Sequence, residues 1–209
     1  NRAKNTFLST MSHELLTPLS GMMGLTELLK RRADDTQSRD FIGRIGDAQS
    51  RLLHVINSVL EFSKLEAGRL SMECNAFTLD SVMQRVAARI AVPAEQKGVA
   101  LEIADLSAWN GVPVFGDAQR IGQILIELTG NALKFTEQGT VRVGCQVSEL
   151  PGEALLCRFE VADSGIGIPT TDLPRLFEKF YRGTNREALA KRGTGLGLAI
   201  VSTIVADHH

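Results

Sequence analysis

The sequence predicts two domains of different fold class: an all-α helical hairpin that forms a dimeric four-helix bundle, followed by an α/β sandwich. Apolar side chains in about the first 65 residues recur every seven positions, which is typical of packed helices. The rest of the chain alternates long helical patterns with strand-like segments, two of which are joined by a Pro-Gly turn. We therefore assign residues 1–66 to the hairpin, 67–76 to a linker and 77–209 to the sandwich.

Composition favours a folded chain in a reducing compartment. Hydrophobic residues make up 44% and the net charge is -1, so a packed core is available and nothing indicates nucleic-acid binding. No run of about 18 apolar residues occurs, so we expect no membrane contact by this fragment, whether or not a longer parent protein is anchored. Three scattered cysteines without CxxC spacing favour buried free thiols in the cytoplasm, rather than disulfides or a zinc site.

Two amphipathic helices of roughly 25 residues, separated by the polar turn "RRADDTQSRD", form the predicted hairpin. Their heptad positions are Leu8, Met11, Leu15, Pro18, Met22, Leu25 and Leu29 in the first helix, and Ile45, Ala48, Leu52, Val55, Val59 and Phe62 in the second. Further apolar positions widen both stripes: Leu16, Leu53, Ile56 and Leu60. Because one partner helix cannot cover stripes this wide, we predict a four-helix bundle made by two copies of the chain.

A histidine lies one turn before a proline in the first helix. In the heptad register His13 points to solvent with Glu14 beside it, a position equally typical of an ordinary surface histidine. Pro18 lacks an N–H and crowds the carbonyl of Glu14, at a cost of about 3 kcal/mol. The proline therefore loosens the helix at the turn where an exposed nucleophile would need local freedom.

The sandwich contains two helices and three strands before its glycine-rich segments. "LDSVMQRVAARIAVPAEQKG" is helical with Asp80 as its predicted cap, and "VALEIA" alternates like a strand. A long helix begins at Asp117 and is predicted to stop at Gly139. Two further strands, "TVRVGCQVSEL" and "ALLCRFEVADSG", meet at Pro151–Gly152 as a hairpin. These elements predict one helical layer on a mixed sheet.

Two glycine clusters enclose a polar segment. Asp163 ends the last strand and is followed by "SGIGIP", while "RGTGLGLAI" opens a helix with alternate glycines. Such a loop offers N–H groups to an anion, but it is neither a Walker A loop nor a dinucleotide-binding fingerprint. The roughly 25 residues between the clusters are typical of a lid, which Phe177 and Phe180 would pin to the body of the domain.

The long helix carries Glu127, Asn131 and Lys134 at spacings of four and three, so they share one face. A carboxylate, an amide oxygen and an ammonium suit a magnesium-bound triphosphate, since Mg²⁺ prefers hard oxygens and lysine neutralises phosphate. The same pattern is compatible with a merely solvated helix face.

Five motifs in order resemble those of the sensor histidine kinase catalytic core. "FLSTMSHELLTPLSG" resembles the phosphoacceptor motif, "ELTGNALKFT" the N box, "DSGIGIP" the G1 box, "FEKFYRG" the F box and "GTGLGLAI" the G2 box. The resemblance covers nearly the whole chain. It implies a dimerisation and histidine-phosphotransfer hairpin followed by an ATP-binding domain of the Bergerat type, with a response-regulator receiver domain as partner.

The resemblance also implies residue roles, with ATP and Mg²⁺ as cofactors. His13 would take the γ-phosphoryl group and pass it to a receiver aspartate, Glu14 would hold or accept the imidazole proton, and Thr17 would help orient water during receiver dephosphorylation. Asn131 would bind Mg²⁺, Lys134 would reach the phosphates and Asp163 would accept the adenine amino group. The other implied nucleotide contacts are Gly165, Gly167, Phe177, Phe180, Gly193, Thr194, Gly195, Leu196 and Gly197.

The chain departs from the family pattern at three places. Leu16 stands where a basic residue is usual, and Glu127 stands where many members have asparagine. Glu127 is open to three interpretations: a magnesium ligand, a base that activates water as in gyrase-like ATPases, or a repulsive charge. The final strands of the family's sheet do not follow the G2 helix, so the domain is expected to be incomplete at its C-terminal end. An active autokinase is the favoured function; a dimeric regulator without catalysis and a plain ATPase are the alternatives.

Overall fold

The computed structural model describes residues 19–33, 35–66, 73–151, 154–186, 189, 191 and 193–207. It divides into two compact units, Asn1–Ser71 and Met72–His209. His13, Glu14, Leu16, Thr17 and Pro18 lie outside the described residues, so the predictions made for them stay predictions. No helix in the described part of the chain has both the length and the apolar character needed to cross a membrane.

The first unit is a helical hairpin. Helix α1 includes residues 19–32, and α2 spans Thr36–Glu66, longer than the predicted 25 residues. Asp35 begins α2 by accepting a hydrogen bond from the Ser38 N–H at 2.7 Å. Gly46 of α2 lies against Thr26 of α1, where an added Cβ would come within 3.8 Å of the threonine methyl group.

The heptad residues whose side chains the structure describes, from Met22 to Val59, are exposed. Leu25, Leu29 and Ile45 are 62%, 57% and 51% exposed. The side chains that turn inward come from other positions, among them Leu19 at 2% and Ile56 at 9% exposure. The described heptad side chains are therefore more exposed than the additional apolar position Ile56.

The second unit is an α/β sandwich with the strands β1 Asn75–Thr78, β2 Val99–Ile103, β3 Pro113–Gly116, β4 Gly139–Leu150 and β5 Ala154–Asp163. Its helices are α3 Leu79–Lys97, α4 Ala118–Phe135 and α5 Gly197–Asp207, with 3-10 turns at Ser107–Trp109 and Leu173–Arg175. Strand β4 pairs in parallel with β2 and antiparallel with β5, so the predicted mixed sheet is confirmed. Strands β1 and β3 form a separate antiparallel pair.

The core of the second unit lies between the helices and one face of the sheet. Along β4 the side chains alternate: Val141 and Val143 are fully buried, whereas Arg142 is exposed. Val82 from α3 and Leu125 from α4 pack into the same cluster and are also fully buried. The core fixes α4 on the sheet, and α4 carries the predicted site.

Local signals located one helix end correctly and two incorrectly. Asp117 caps α4 as predicted, accepting hydrogen bonds from the Gln119 and Arg120 N–H groups at 3.1 and 2.9 Å. The predicted cap Asp80 is wrong: Thr78 precedes α3, and Asp80 lies in its first turn. Helix α4 ends at Phe135 rather than near Gly139, because Thr136 adopts an extended conformation.

The three cysteines are free thiols of two kinds. Cys145 and Cys157 are half-buried on adjacent strands, and burial together with the neighbouring Cys157 thiol raises the pKa of Cys145 to about 11. Cys74 is exposed, so the expectation that all three are buried is wrong.

Candidate functional site

The predicted face of α4 lies against the second glycine cluster. An added Cβ at Gly197 would come 2.7 Å from the Glu127 carboxylate, and one at Gly193 would come 2.7 Å from the Lys134 ammonium. Asn131 lies one helical turn beyond Glu127 on this face, and all three side chains are half-buried. Gly193 and Gly197 therefore lie close to α4, with the Lys134 ammonium and the Glu127 carboxylate in the space that a side chain would take.

The loop from Gly193 to Gly197 leads into α5 with its own local hydrogen bonds. Gly195 has a φ of 69°, and an added Cβ there would come 2.7 Å from the carbonyl carbon of Phe180. The Thr194 hydroxyl accepts a hydrogen bond from the Leu196 N–H at 3.2 Å. Leu196 is 1% exposed, so its side chain belongs to the core and only its backbone can reach a ligand.

The first glycine cluster is tied to the C-terminal end of the same helix. The Ile166 N–H donates to the Phe135 carbonyl at 3.3 Å, and an added Cβ at Gly165 would come 2.5 Å from that oxygen. Asp163, exposed at the end of β5, accepts a hydrogen bond from the Gly165 N–H at 2.9 Å. Gly167 has a φ of 67°, which favours glycine. Both glycine clusters therefore meet on α4.

The lid between the clusters is organised by a residue that the sequence did not single out. Asp172 is 1% exposed and accepts hydrogen bonds from the Thr184 N–H at 2.8 Å and the Thr184 hydroxyl at 2.9 Å. These bonds hold the pKa of Asp172 below its usual value. An aspartate just before Leu-Pro is a local turn signal, but nothing local indicates its partner twelve residues away.

The two lid phenylalanines do not pin the lid through their rings. Phe177 is 53% exposed and Phe180 is 66% exposed, so that prediction is wrong. The backbone makes the contact instead: the Phe180 N–H donates to the Gly195 carbonyl at 2.8 Å, and Phe180 has a positive φ of 63°. The nucleotide contacts that the family resemblance implies for Phe177 and Phe180 stay predictions.

Three cationic side chains, Lys134, Arg182 and Lys191, lie where the lid meets the end of α4. Burial lowers the pKa of Lys134, and the charges of Arg182 and Lys191 lower it further. The Lys134 ammonium lies 4.7 Å from the centre of the Phe135 ring. Arg182 donates from one nitrogen to the Leu189 and Lys191 carbonyls, each at 2.8 Å. Of these three cations, only Lys134 is predicted from the sequence.

Two family models match the chain. The model described as "His Kinase A (phospho-acceptor) domain" matches residues 3–68. The model described as "Histidine kinase-, DNA gyrase B-, and HSP90-like ATPase" matches residues 116–209. The first match contains the histidine of the hairpin, and the second contains α4, both glycine clusters and the lid.

The chain is similar over nearly its full length to parts of larger kinases. It is 41% identical to the signal transduction histidine-protein kinase BarA of Escherichia coli over 209 residues, which are 99% of this chain and 22% of that protein. It is 36% identical to the autoinducer 2 sensor kinase/phosphatase LuxQ of Vibrio cholerae over 204 residues, or 98% of this chain and 24% of that protein. The chain therefore spans about a quarter or less of these relatives.

A solved structure extends the similarity to the fold. Full-length ShkA in complex with AMPPNP superposes with a TM-score of 0.73 at 31% identity, covering 96% of this chain and 40% of that one. A phosphoacceptor-domain match, an ATPase-domain match and the clustering of the N, G1, F and G2 motifs around one helix agree with each other. The chain belongs to the sensor histidine kinases and comprises their catalytic core.

Proposed function

We propose that this core transfers the γ-phosphoryl group of ATP to His13 and then to an aspartate on a response-regulator receiver domain, in the cytoplasm. The observation that carries the proposal is the meeting of both glycine clusters and the lid on α4. This arrangement brings Glu127 and Lys134 against Gly197 and Gly193, with two more cations near Lys134. Anionic phosphates would find N–H groups and cations there together.

The adenine end of the nucleotide is assigned to the first glycine cluster. Asp163 is exposed beside Gly165, where its carboxylate can accept a hydrogen bond from the adenine amino group. Gly165 keeps the loop within contact of the Phe135 carbonyl at the end of α4. The phosphate end is assigned to Lys134 and the loop Gly193–Gly197, which lies along α4 from Lys134 back to Glu127.

Magnesium fits the residues present on α4. Glu127 and Asn131 offer one carboxylate and one amide oxygen on the same face, and Mg²⁺ in phosphate sites is typically held by one or two protein oxygens plus the phosphates. Among the described residues no cluster of three or more His, Cys, Asp or Glu could hold a metal without a ligand's help. When bound, the ion would neutralise charge on the phosphates; Glu127 and Asn131 would hold it, and Lys134 would neutralise phosphate oxygens directly.

The transfer itself would use the hairpin's histidine. At pH 7 about three quarters of free imidazole is neutral, so a ring nitrogen of His13 can attack the γ-phosphorus. The N–P bond forms as the bond to the leaving ADP oxygen breaks, and Glu14 takes the proton from the imidazole. A receiver carboxylate then attacks the phosphorus, the N–P bond breaks, and Glu14 returns its proton so that His13 leaves as a neutral imidazole. Positioning and charge neutralisation supply most of the rate enhancement in such reactions.

Receiver dephosphorylation is the second activity of the proposal. Thr17 would orient the water that hydrolyses the receiver's acyl phosphate. The Vibrio cholerae relative is named a sensor kinase/phosphatase, which supports this step.

A homodimer completes the proposal. The heptad residues of α1 and α2 whose side chains the structure describes are exposed in one chain, although they are apolar and lie in register, with Leu25 and Leu29 at 62% and 57%. Exposed apolar stripes of this kind mark interfaces. A second hairpin would cover them in a four-helix bundle.

Incubation with labelled ATP and Mg²⁺, followed by acid treatment, tests the proposed reaction. Phosphohistidine is labile in acid, so the label should be lost from the protein at low pH and retained in alkali. Label that survives acid, or no incorporation by a chain that binds nucleotide, would contradict the proposal.

A further inference from the structure

A glutamate just after α4 lies between two lysines. The Glu137 carboxylate forms an ion pair with Lys191 of the lid, and its other oxygen lies 4.0 Å from the Lys97 ammonium. Lys97 in turn donates to the Leu133 and Lys134 carbonyls at 2.7 and 3.1 Å, which closes the end of α4. One carboxylate therefore links the lid to the helix that carries Lys134.

Lys191 has charged neighbours of both signs. It forms an ion pair with Glu137, and its positive charge lowers the pKa of Lys134 and also that of Lys97. Arg182 is held by two lid carbonyls, and Lys134 lies against Gly193. Lys191 is held by a single side chain that is 61% exposed, and an exposed ion pair is weak. Of the three cations, it is the one that can change partner at least cost.

We propose that Lys191 exchanges Glu137 for a phosphate of the bound nucleotide, so that Glu137 competes with the nucleotide for this lysine. The inference rests on the proposed function and adds a phosphate-binding residue to it. Two features support the exchange. A polyphosphate relieves the repulsion among three clustered cations, and Glu137 keeps Lys97 as a partner after Lys191 leaves.

Competition predicts opposite effects for the two members of one ion pair. Lys191→Gln should weaken AMPPNP binding by about tenfold or more, because a charge-assisted contact to phosphate is lost. Glu137→Gln should tighten binding by about two- to fivefold, because Lys191 no longer has to be released. The double variant should bind like Lys191→Gln alone. If the ion pair only stabilised the lid, removing either charge would weaken AMPPNP binding.

The experiment measures AMPPNP affinity by calorimetry for the whole chain and the three variants, with adenosine as a ligand that lacks phosphates. Glu102→Gln is the matched control, since Glu102 forms an exposed ion pair with Arg142 on the sheet at 2.7 Å; it should leave affinity unchanged. Adenosine affinity should be the same in all variants. Weaker AMPPNP binding by Glu137→Gln, or unchanged binding by Lys191→Gln, would overturn the inference while leaving the proposed function intact. A wild-type chain that binds neither ligand would instead overturn the proposed function.

Discussion

The two units of this chain differ in how deeply the apolar residues of their main sequence patterns are buried. In the second unit Leu125, Val141 and Val143 are fully buried within one chain. In the hairpin the heptad residues Leu25 and Leu29 are more than half exposed. The comparison teaches that the sandwich builds its core from its own helices and sheet, whereas the hairpin has an exposed apolar face that we propose a second chain covers.

Matched substitutions in the two units should separate these behaviours, and this is the largest effect we expect. Leu25→Glu combined with Leu29→Glu should convert a dimer into a monomer, because the charges would be buried in the bundle. Leu125→Ala should leave the dimer intact and lower the unfolding free energy of the second unit by about 2–5 kcal/mol. Sedimentation and denaturant unfolding measure the two effects. A double glutamate variant that remains dimeric would place the interface elsewhere.

A glycine comparison within the second unit should give the next largest effect. Gly165→Ala places a Cβ 2.5 Å from the Phe135 carbonyl, so the loop must move, and overpacking of this kind costs about 1–3 kcal/mol. Nucleotide affinity should fall by about tenfold or more. Gly130→Ala is the control, on the helix α4 that the Gly165 loop contacts, since an added Cβ there meets nothing within 4 Å. Equal affinities for the two variants, measured by calorimetry, would remove Gly165 from the site.

The part of this site that local sequence could predict is the part governed by helix periodicity and glycine. The spacing of Glu127, Asn131 and Lys134 placed them on one face, and the glycine loop was found beside that face. Asp172 was not predicted from the sequence, because the fold of the lid places its partner, Thr184, beside it. The exposure of Phe177 likewise depends on tertiary packing, for which hydrophobicity alone is a poor guide.

The hairpin also shows a limit of prediction from local sequence. The seven-residue period correctly predicted helices, but it could not distinguish which apolar positions face the neighbouring helix of the same chain. Of the positions that only widened the stripe, Ile56 is buried and Leu53 and Leu60 are half-buried, whereas the heptad side chains that the structure describes are exposed. Periodicity specifies that a stripe is buried without specifying the partner that buries it.

Glu127 should give the smallest effect and the most informative one. If it holds magnesium, as we favour, Glu127→Gln weakens Mg²⁺-dependent ATP binding and slows labelling of His13, because a carboxylate ligand is lost. If it activates water, the change suppresses ATP hydrolysis and spares labelling; if it only repels phosphate, ATP binding tightens. Affinity with and without Mg²⁺, together with labelling and hydrolysis rates, distinguishes the three. Glu102→Gln again serves as the control.

Centrally, we propose that the second unit of the chain binds the nucleotide and that the first unit accepts the phosphoryl group. His13→Gln tests it most directly, with AMPPNP affinity and incorporation of label from ATP measured on the same preparation. The account predicts unchanged affinity, because Lys134, Asp163 and both glycine clusters lie in the second unit, and complete loss of acid-labile label. Acid-labile label retained in His13→Gln would contradict it.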